Sequence, residues 1–255
     1  MKTPRDHFSE QAKSYRQFRP TYEPALFDWL ARIAPSRERA WDCGCGSGQA
    51  STDLAARFDQ VIATDSNRQQ LALAEPRPNL EYRCEPAERT SLPDRSIDLT
   101  LVAQALHWFD HDAFYNEVRR VSKPNAVVVA VSYNLLRVAP EIDALIDRLY
   151  YKVLGGYWPA ERKHVEDGYQ SIPFPFRRID APSALLTATW DLHQLLGYFE
   201  SWSALSHYRA ANGINPLDAM ATDFKAAWGQ ADIAKSITWP LTILAGVSGQ
   251  AHSEE

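Results

Sequence analysis

The sequence predicts a doubly wound α/β fold: a mainly parallel sheet with helices on both faces, a late antiparallel strand pair and a helical cap. Three observations predict it. Between residues 40 and 131 short apolar runs alternate with helical patterns, as in successive βαβ units. Ala40-Trp41-Asp42 passes straight into Cys43-Gly44-Cys45-Gly46-Ser47-Gly48, a glycine-rich turn between a strand and a helix, where such sheets bind ligands. Residues 97–103 and 126–131 are unusually apolar, as strands covered on both faces should be.

Each element follows in order. The first strand ends at Asp42, and a helix over 49–58 follows the glycine turn. Val61-Ile62-Ala63-Thr64-Asp65 is the second strand, then a helix over 68–74 and a weaker third strand over 80–84. After the fourth strand, Asp110 N-caps a helix running to Val121. Lys123-Pro124-Asn125 turns the chain into the fifth strand. Beyond Tyr133 the alternation stops: helices are expected over 141–153, 191–205 and 215–228, with a Trp-, Tyr- and Pro-rich stretch after Gly155-Gly156. Pro240 marks 236–247 as an edge strand, where proline is tolerated, and 174–179 and 237–245 are expected to be antiparallel. The chain is read as a single domain over 1–255. Its core covers about 25–133, 174–180 and 236–247, and an arm (1–24) with an insertion (134–173, 181–235) caps the substrate side.

Composition sets the boundaries. Of 255 residues, 45% are hydrophobic and 23% charged, ordinary for a globular protein. A net charge of -5 without Arg/Lys runs gives no footprint for nucleic acid. No run of about 18 apolar residues suggests a membrane span, and the N-terminus turns acidic without a leader-like apolar stretch, so a cytoplasmic protein is expected. Three cysteines, two of them one residue apart, make neither a disulfide framework nor a zinc site, and no metal is expected.

The glycine turn carries the chemistry. Taken alone it also fits a plain tight turn. A dinucleotide fingerprint, Gly-x-Gly-x-x-Gly, would need glycine where Gln49 stands; the pattern is Gly44-x-Gly46-x-Gly48, preceded by Asp42. That acid would repel a pyrophosphate and suits a ligand bearing an ammonium group. Asp65 ends the second strand 21 residues after Gly44, where a carboxylate accepts hydrogen bonds from ribose hydroxyls. Ammonium near Asp42 and ribose near Asp65 describe S-adenosylmethionine better than NAD.

With these residues the sequence resembles the class I methyltransferases, whose fold is Rossmann-like, over about residues 8–131. Ala87-Glu88 and Ser96-Ile97-Asp98-Leu99 extend the likeness. Phe8-Ser9, Tyr15, Arg19-Pro20-x-Tyr22, the run from Ala103 through Gln104, His107 and Trp108 to Asp110, Ser201-Trp202-Ser203-Ala204 and Trp239-Pro240-Leu241 are similar to the small-molecule branch that includes trans-aconitate methyltransferase. That branch's closing Gly-Arg is absent, Gly246-Val247 standing in its place. The resemblance implies a methyltransferase using S-adenosyl-L-methionine. Gly44, Cys45 and Gly46 would line the methionine moiety, Asp65 and Ser66 the adenosine, and Ala87 and Glu88 the adenine edge. Gln104 would lie under the sulfonium, and Tyr15 and Arg19 would close the pocket. The start of a surface helix is the alternative reading of Ala87-Glu88.

On the substrate side, His107 stands three residues after Gln104 and is the candidate catalytic group, a base or a hydrogen-bond donor. Satisfying a loop carbonyl is its alternative role. Trp108 is expected to build the pocket wall. Trp158, Trp202 and Tyr208 read either as core or as a cap over a small organic acceptor. Arg16, Arg19, Arg137 and Arg209 are candidate partners for an acceptor carboxylate or surface charges. The expected reaction is methylation of a small-molecule oxygen, carboxylate or hydroxyl. C-methylation of a quinone-like ring and non-catalytic cofactor binding are the alternatives.

Overall fold

The computed structural model describes residues 20–249. Five parallel strands make the centre of the sheet: β1 (Arg39–Cys43), β2 (Gln60–Thr64), β3 (Leu80–Arg83), β4 (Ile97–Ala103) and β5 (Ser122–Tyr133). Their order is β3-β2-β1-β4-β5, so the winding reverses between β1 and β4. In open α/β sheets ligands bind beyond the carboxyl ends of the strands at that reversal. The doubly wound reading of the sequence is borne out. The late strands are antiparallel as expected: β8 (Lys235–Val247) runs against β5 from Val127↔Val247 to Tyr133↔Leu241. β6 (Arg177–Arg178) pairs with β8 over two residues, shorter than the expected 174–179. β7 (Leu185–Trp190), which also pairs with β8, was not expected.

The helices flanking the sheet are α1 (Pro24–Ile33), α2 (Gln49–Ala55), α3 (Arg68–Leu71) and α4 (His111–Val121). Residues of β4 are buried almost throughout, because helices cover both of its faces. Trp41 of β1 is fully buried, 6.1 Å from the Phe114 ring of α4, and its indole N–H donates to Thr64 Oγ1 at 2.9 Å. A buried indole needs such a partner. Asp110 caps α4, accepting from the Ala113 N–H at 3.2 Å.

Lys123-Pro124-Asn125 corrects the expected turn: the strand runs through it. The register moves from Ile97↔Ser122 to Leu99↔Val127, so the extra residues bulge out of the ladder and Asn125 takes φ 60°. A bulge is where a proline fits inside a strand. Lys123 turns back from it to Asp98, at 3.0 Å.

The described residues group into two compact units. Residues 22–134, 163–185 and 240–249 form the sheet unit, which includes 163–173 although the sequence reading put those with the insertion. The other holds 135–162 and 186–239. Here α5 (Pro140–Asp147) continues as a π-helical stretch (Arg148–Val153); α6 (Arg162–Glu166) follows at the boundary, then α7 (Leu192–Glu200), α8 (Ser203–Asn212) and α9 (Pro216–Trp228). The single helix expected over 191–205 is two. Ser201 Oγ donates back to the Tyr198 carbonyl at 2.6 Å, and Trp202 leaves the helix with ψ 130° before α8 begins. Among the described residues no helix is long and apolar enough to cross a membrane.

Candidate active site

Beyond β1 the glycine turn is pinned by β2. The Thr64 carbonyl accepts from the N–H of Gly44 at 2.8 Å and of Cys45 at 3.0 Å, and Asp65 Oδ2 accepts from the Gly46 N–H at 2.8 Å. The Gly48 N–H donates to the Cys45 carbonyl at 2.9 Å. Four N–H groups of the turn are thereby bonded within the protein. A phosphate-binding loop presents such groups to its ligand. At Gly48, φ 80°, a Cβ would run into the Tyr82 ring; at Gly46, φ 57°, no atom of the described residues lies within 4 Å of where one would stand. The backbone at Gly46 is therefore open to close approach.

The acids beside this turn differ in setting. Asp65 is half-buried, and its second oxygen accepts from the Asn67 N–H at 2.7 Å. Asp42 has no solvent exposure. Its Oδ2 accepts from Ser51 Oγ at 2.5 Å, while Oδ1 has no hydrogen-bond partner among the described residues. Burial pushes the Asp42 pKa up to about 7; the Ser51 hydrogen bond opposes that rise and the nearby Asp65 charge adds to it. Burial, and then the same two carboxylates, also hold the Cys45 thiol above its ordinary range, so it is no thiolate nucleophile.

Gln104 ends β4 with φ 57°, a conformation uncommon outside glycine. Its Nε2 donates to the Tyr133 carbonyl at 2.9 Å, and its buried Oε1, like Asp42 Oδ1, lacks a partner among the described residues. Each such orphan acceptor carries a desolvation cost that a ligand's N–H would relieve. Ala87 lies in the apolar core, Glu88 Oε1 accepts from the Asp110 N–H at 3.0 Å, and the exposed Ser66 accepts from Cys84 Sγ at 3.6 Å. Glu88 and Ser66 are held in structural hydrogen bonds and Ala87 in core packing.

His107 and Trp108 follow β4 in a 3-10 turn (Leu106–Trp108). His107 is buried, with Nδ1 3.2 Å from the Tyr169 hydroxyl; Trp108 is 56% exposed, its ring 4.8 Å from the imidazole. Both belong to the sheet unit. Trp158 and Trp202 lie in the helical unit, 5.5 Å apart beside Tyr150, and the Tyr208 ring meets that of Tyr157 edge-on at 5.0 Å. Arg137 pairs with Asp147 and Arg209 with Glu200. Tyr15, Arg16 and Arg19 lie outside the described residues. Among the described residues no group of three or more His, Cys, Asp or Glu side chains is arranged to hold a metal.

Sequence reasoning missed Ser51, Thr64, Tyr82 and Tyr169. Ser51 had a signal, a polar residue in the first turn of the helix after Gly48; Tyr169 had none, being 62 residues from its partner.

Comparison with known proteins follows from this geometry. Residues 41–130 match a family model described as a methyltransferase domain. A protein of Dictyostelium discoideum assigned as a methyltransferase is 34% identical over 231 residues, 89% of this chain and 88% of its own length. A solved structure assigned as a type II methyltransferase from Anaeromyxobacter dehalogenans superposes with a TM-score of 0.87 at 47% identity, over 92% of this chain and 100% of that one. A malonyl-[acyl-carrier protein] O-methyltransferase of a Marinomonas species is 33% identical over 133 residues, 49% of this chain and 48% of its own length.

Proposed function

The chain belongs to the methyltransferase family, and from that premise we propose that it moves the methyl group of S-adenosylmethionine to an oxygen of a small organic acceptor, in the branch that includes trans-aconitate methyltransferase. One observation carries the cofactor assignment. The N–H groups of the glycine turn are used internally while Asp42 and Asp65 stand beside it, so the site favours a cation over a phosphate. The fit is specific in its orphans: Asp42 Oδ1 and Gln104 Oε1 are buried acceptors that an amino group satisfies, and the open face of Gly46 admits a ligand against the backbone.

In this reading Asp42, Gly44, Cys45, Gly46 and Gln104 hold the amino-acid end, Asp65 and Ser66 the ribose, and Ala87 and Glu88 flank the base, with Tyr15 and Arg19 closing over them. When bound, S-adenosylmethionine supplies a methyl group already activated by a positive sulfur. The protein's part is to align the acceptor oxygen and exclude water, and such positioning supplies ~7–11 kcal/mol. His107 acts on the acceptor, as a base toward a hydroxyl or as a donor toward a carboxylate. Trp108, beside His107 in the same unit, supplies an apolar wall. The O-methyltransferase name of the Marinomonas relative supports an oxygen acceptor.

Calorimetry tests the cofactor half. S-adenosylmethionine and S-adenosylhomocysteine bind in the micromolar range and NAD does not; NAD binding tighter than either sinks the proposal. Asp65→Ala removes a charged acceptor whose hydrogen bonds contribute ~1.5–3 kcal/mol each, so affinity falls about tenfold to a hundredfold. Release of S-adenosylhomocysteine against a panel of small acids, phenols and quinones then tests the oxygen acceptor; turnover confined to quinones refutes it.

A further inference from the structure

We propose that Ser51 is a positioning residue for the ligand's ammonium group: its hydroxyl takes up one oxygen of Asp42 and holds the side chain as a carboxylate whose other oxygen, Oδ1, receives the cation. The cation rests on the methyl-transfer reading above; the hold of Ser51 on Asp42 does not.

The contact is short and buried. Ser51 Oγ donates to Asp42 Oδ2 at 2.5 Å, and neither residue has solvent exposure. An O–H that meets a carboxylate makes a shorter bond than a neutral pair does, and one about twice as strong. Ser51 is the third residue of α2, whose N-cap is Gly48. Serine forms helix less readily than alanine, and a buried hydroxyl needs a partner. Asp42, across from it on β1, is that partner.

Nothing else in the surroundings favours the charge. Burial raises the Asp42 pKa, the Ser51 hydrogen bond opposes the rise and the Asp65 carboxylate adds to it; among the described residues no positive charge acts on Asp42. The other titratable groups that face it among those residues are the Cys43 and Cys45 thiols and the Tyr82 phenol of β3, all raised by burial and so uncharged at neutral pH. Glu88 acts in turn on Cys43. The Ser51 hydroxyl also opposes the rise at Cys45 and Tyr82, but it has one proton to give. Of these three groups Asp42 alone is brought to about 7, so in the neutral range the proton goes to its carboxylate. The Tyr82 O–H is spent on the Glu75 carbonyl at 3.1 Å. Oδ1, without a partner among the described residues, is the acceptor left for a ligand, and an ammonium group there supplies the charge the site lacks. With Ser51 removed, burial and Asp65 act unopposed, and Asp42 meets the ligand as an uncharged acid.

Carbon-13 spectra of the full chain labelled at aspartate carboxyls, assigned with Asp42→Asn, give the Asp42 midpoint with no ligand present. A hydrogen bond to a charged group is worth about one to two pH units, so Ser51→Ala should raise the midpoint by that much. Ser51→Thr, which keeps the hydroxyl, should restore it. Calorimetry with S-adenosylhomocysteine between pH 6 and pH 8 reads the consequence. Wild-type affinity levels off above about pH 7. Affinity of Ser51→Ala is about fivefold or more weaker at pH 7 and still rising at pH 8, and in an Asp42→Asn background the same substitution has no such effect. A midpoint that Ser51→Ala leaves in place overturns the proposal. So does an affinity loss equal at every pH, the mark of a serine that only supports the fold. If Ser51→Ala does not fold, Ser51→Cys, a weaker donor, replaces it and the same midpoint decides. If the wild type binds no S-adenosylhomocysteine, the methyl-transfer reading fails and the midpoint still decides this one.

Discussion

Asp42 and His107 are two buried polar side chains whose substitution reads out differently. Burial raises the Asp42 pKa from 3.8 to about 7, so between those values the folded protein keeps a proton that the unfolded chain has lost. Stability from this group is greatest below the unfolded value, falls as pH rises through the window by on the order of a few kcal/mol, and stays low above it. Asp42→Asn should flatten that slope, which urea titrations at pH 5 and pH 8 measure; an unchanged slope refutes the assignment. A cationic ligand draws the same pKa down, so binding at pH 6.5 should expel up to about one proton, seen as a buffer-dependent heat in calorimetry. At His107 the prediction is kinetic. His107→Ala should lower turnover about tenfold or more and leave cofactor affinity nearly unchanged, the pattern of a group acting on the acceptor. His107→Gln, which keeps a donor near Nε2, should retain much of the rate. At this scale Asp42 and Asp65 were legible in the sequence because each ends one of two neighbouring strands, at a spacing the βαβ unit dictates. Tyr169 was not, because its contact joins segments 62 residues apart and leaves no periodic trace.

The glycine turn shows how one element separates folding from binding. Gly46→Ala and Gly48→Ala place a methyl group on a left-handed residue, which alone costs about 1–2 kcal/mol. At Gly48 the methyl also strikes the Tyr82 ring, which its hydroxyl ties to the Glu75 carbonyl at 3.1 Å. Overpacking adds a further cost, so Gly48→Ala should destabilise by roughly 2–4 kcal/mol in total. Gly46→Ala strikes nothing among the described residues, so it should fold with the smaller loss and weaken S-adenosylmethionine at least tenfold. Thermal melts beside calorimetry distinguish the two, and equal effects on both readouts would refute the distinction. The strands and helices from β1 to β5 were readable because each apolar run is short and bounded by turn residues. The break at Trp202 was not: a tryptophan keeps the helical apolar period, and the interruption comes from Ser201 bonding back to Tyr198. Pro124 and Asn125 misled in the other direction, being turn residues that a bulge accommodates inside β5.

For the molecule as a whole, β8 closes the sheet. Val127 to Val131 of β5 are buried on one side by β4 and on the other by residues 243–247 of β8. A chain truncated before Lys235 would leave that valine run as an open edge, the kind of strand that recruits others. Such a truncation should accumulate as aggregate and not as a smaller soluble fold; a monodisperse monomer in gel filtration would refute this. The alternation of the central five strands announced their parallel sheet, whereas nothing in 236–247 named β5 as its neighbour. The same pairing gives synthesis a direction. At about 5–20 residues per second the ribosome needs roughly 5–20 s to add the hundred or so residues between the end of β5 and the start of β8. For that interval the nascent chain carries an uncovered edge of valines, open to pairing with any other strand until the last one arrives.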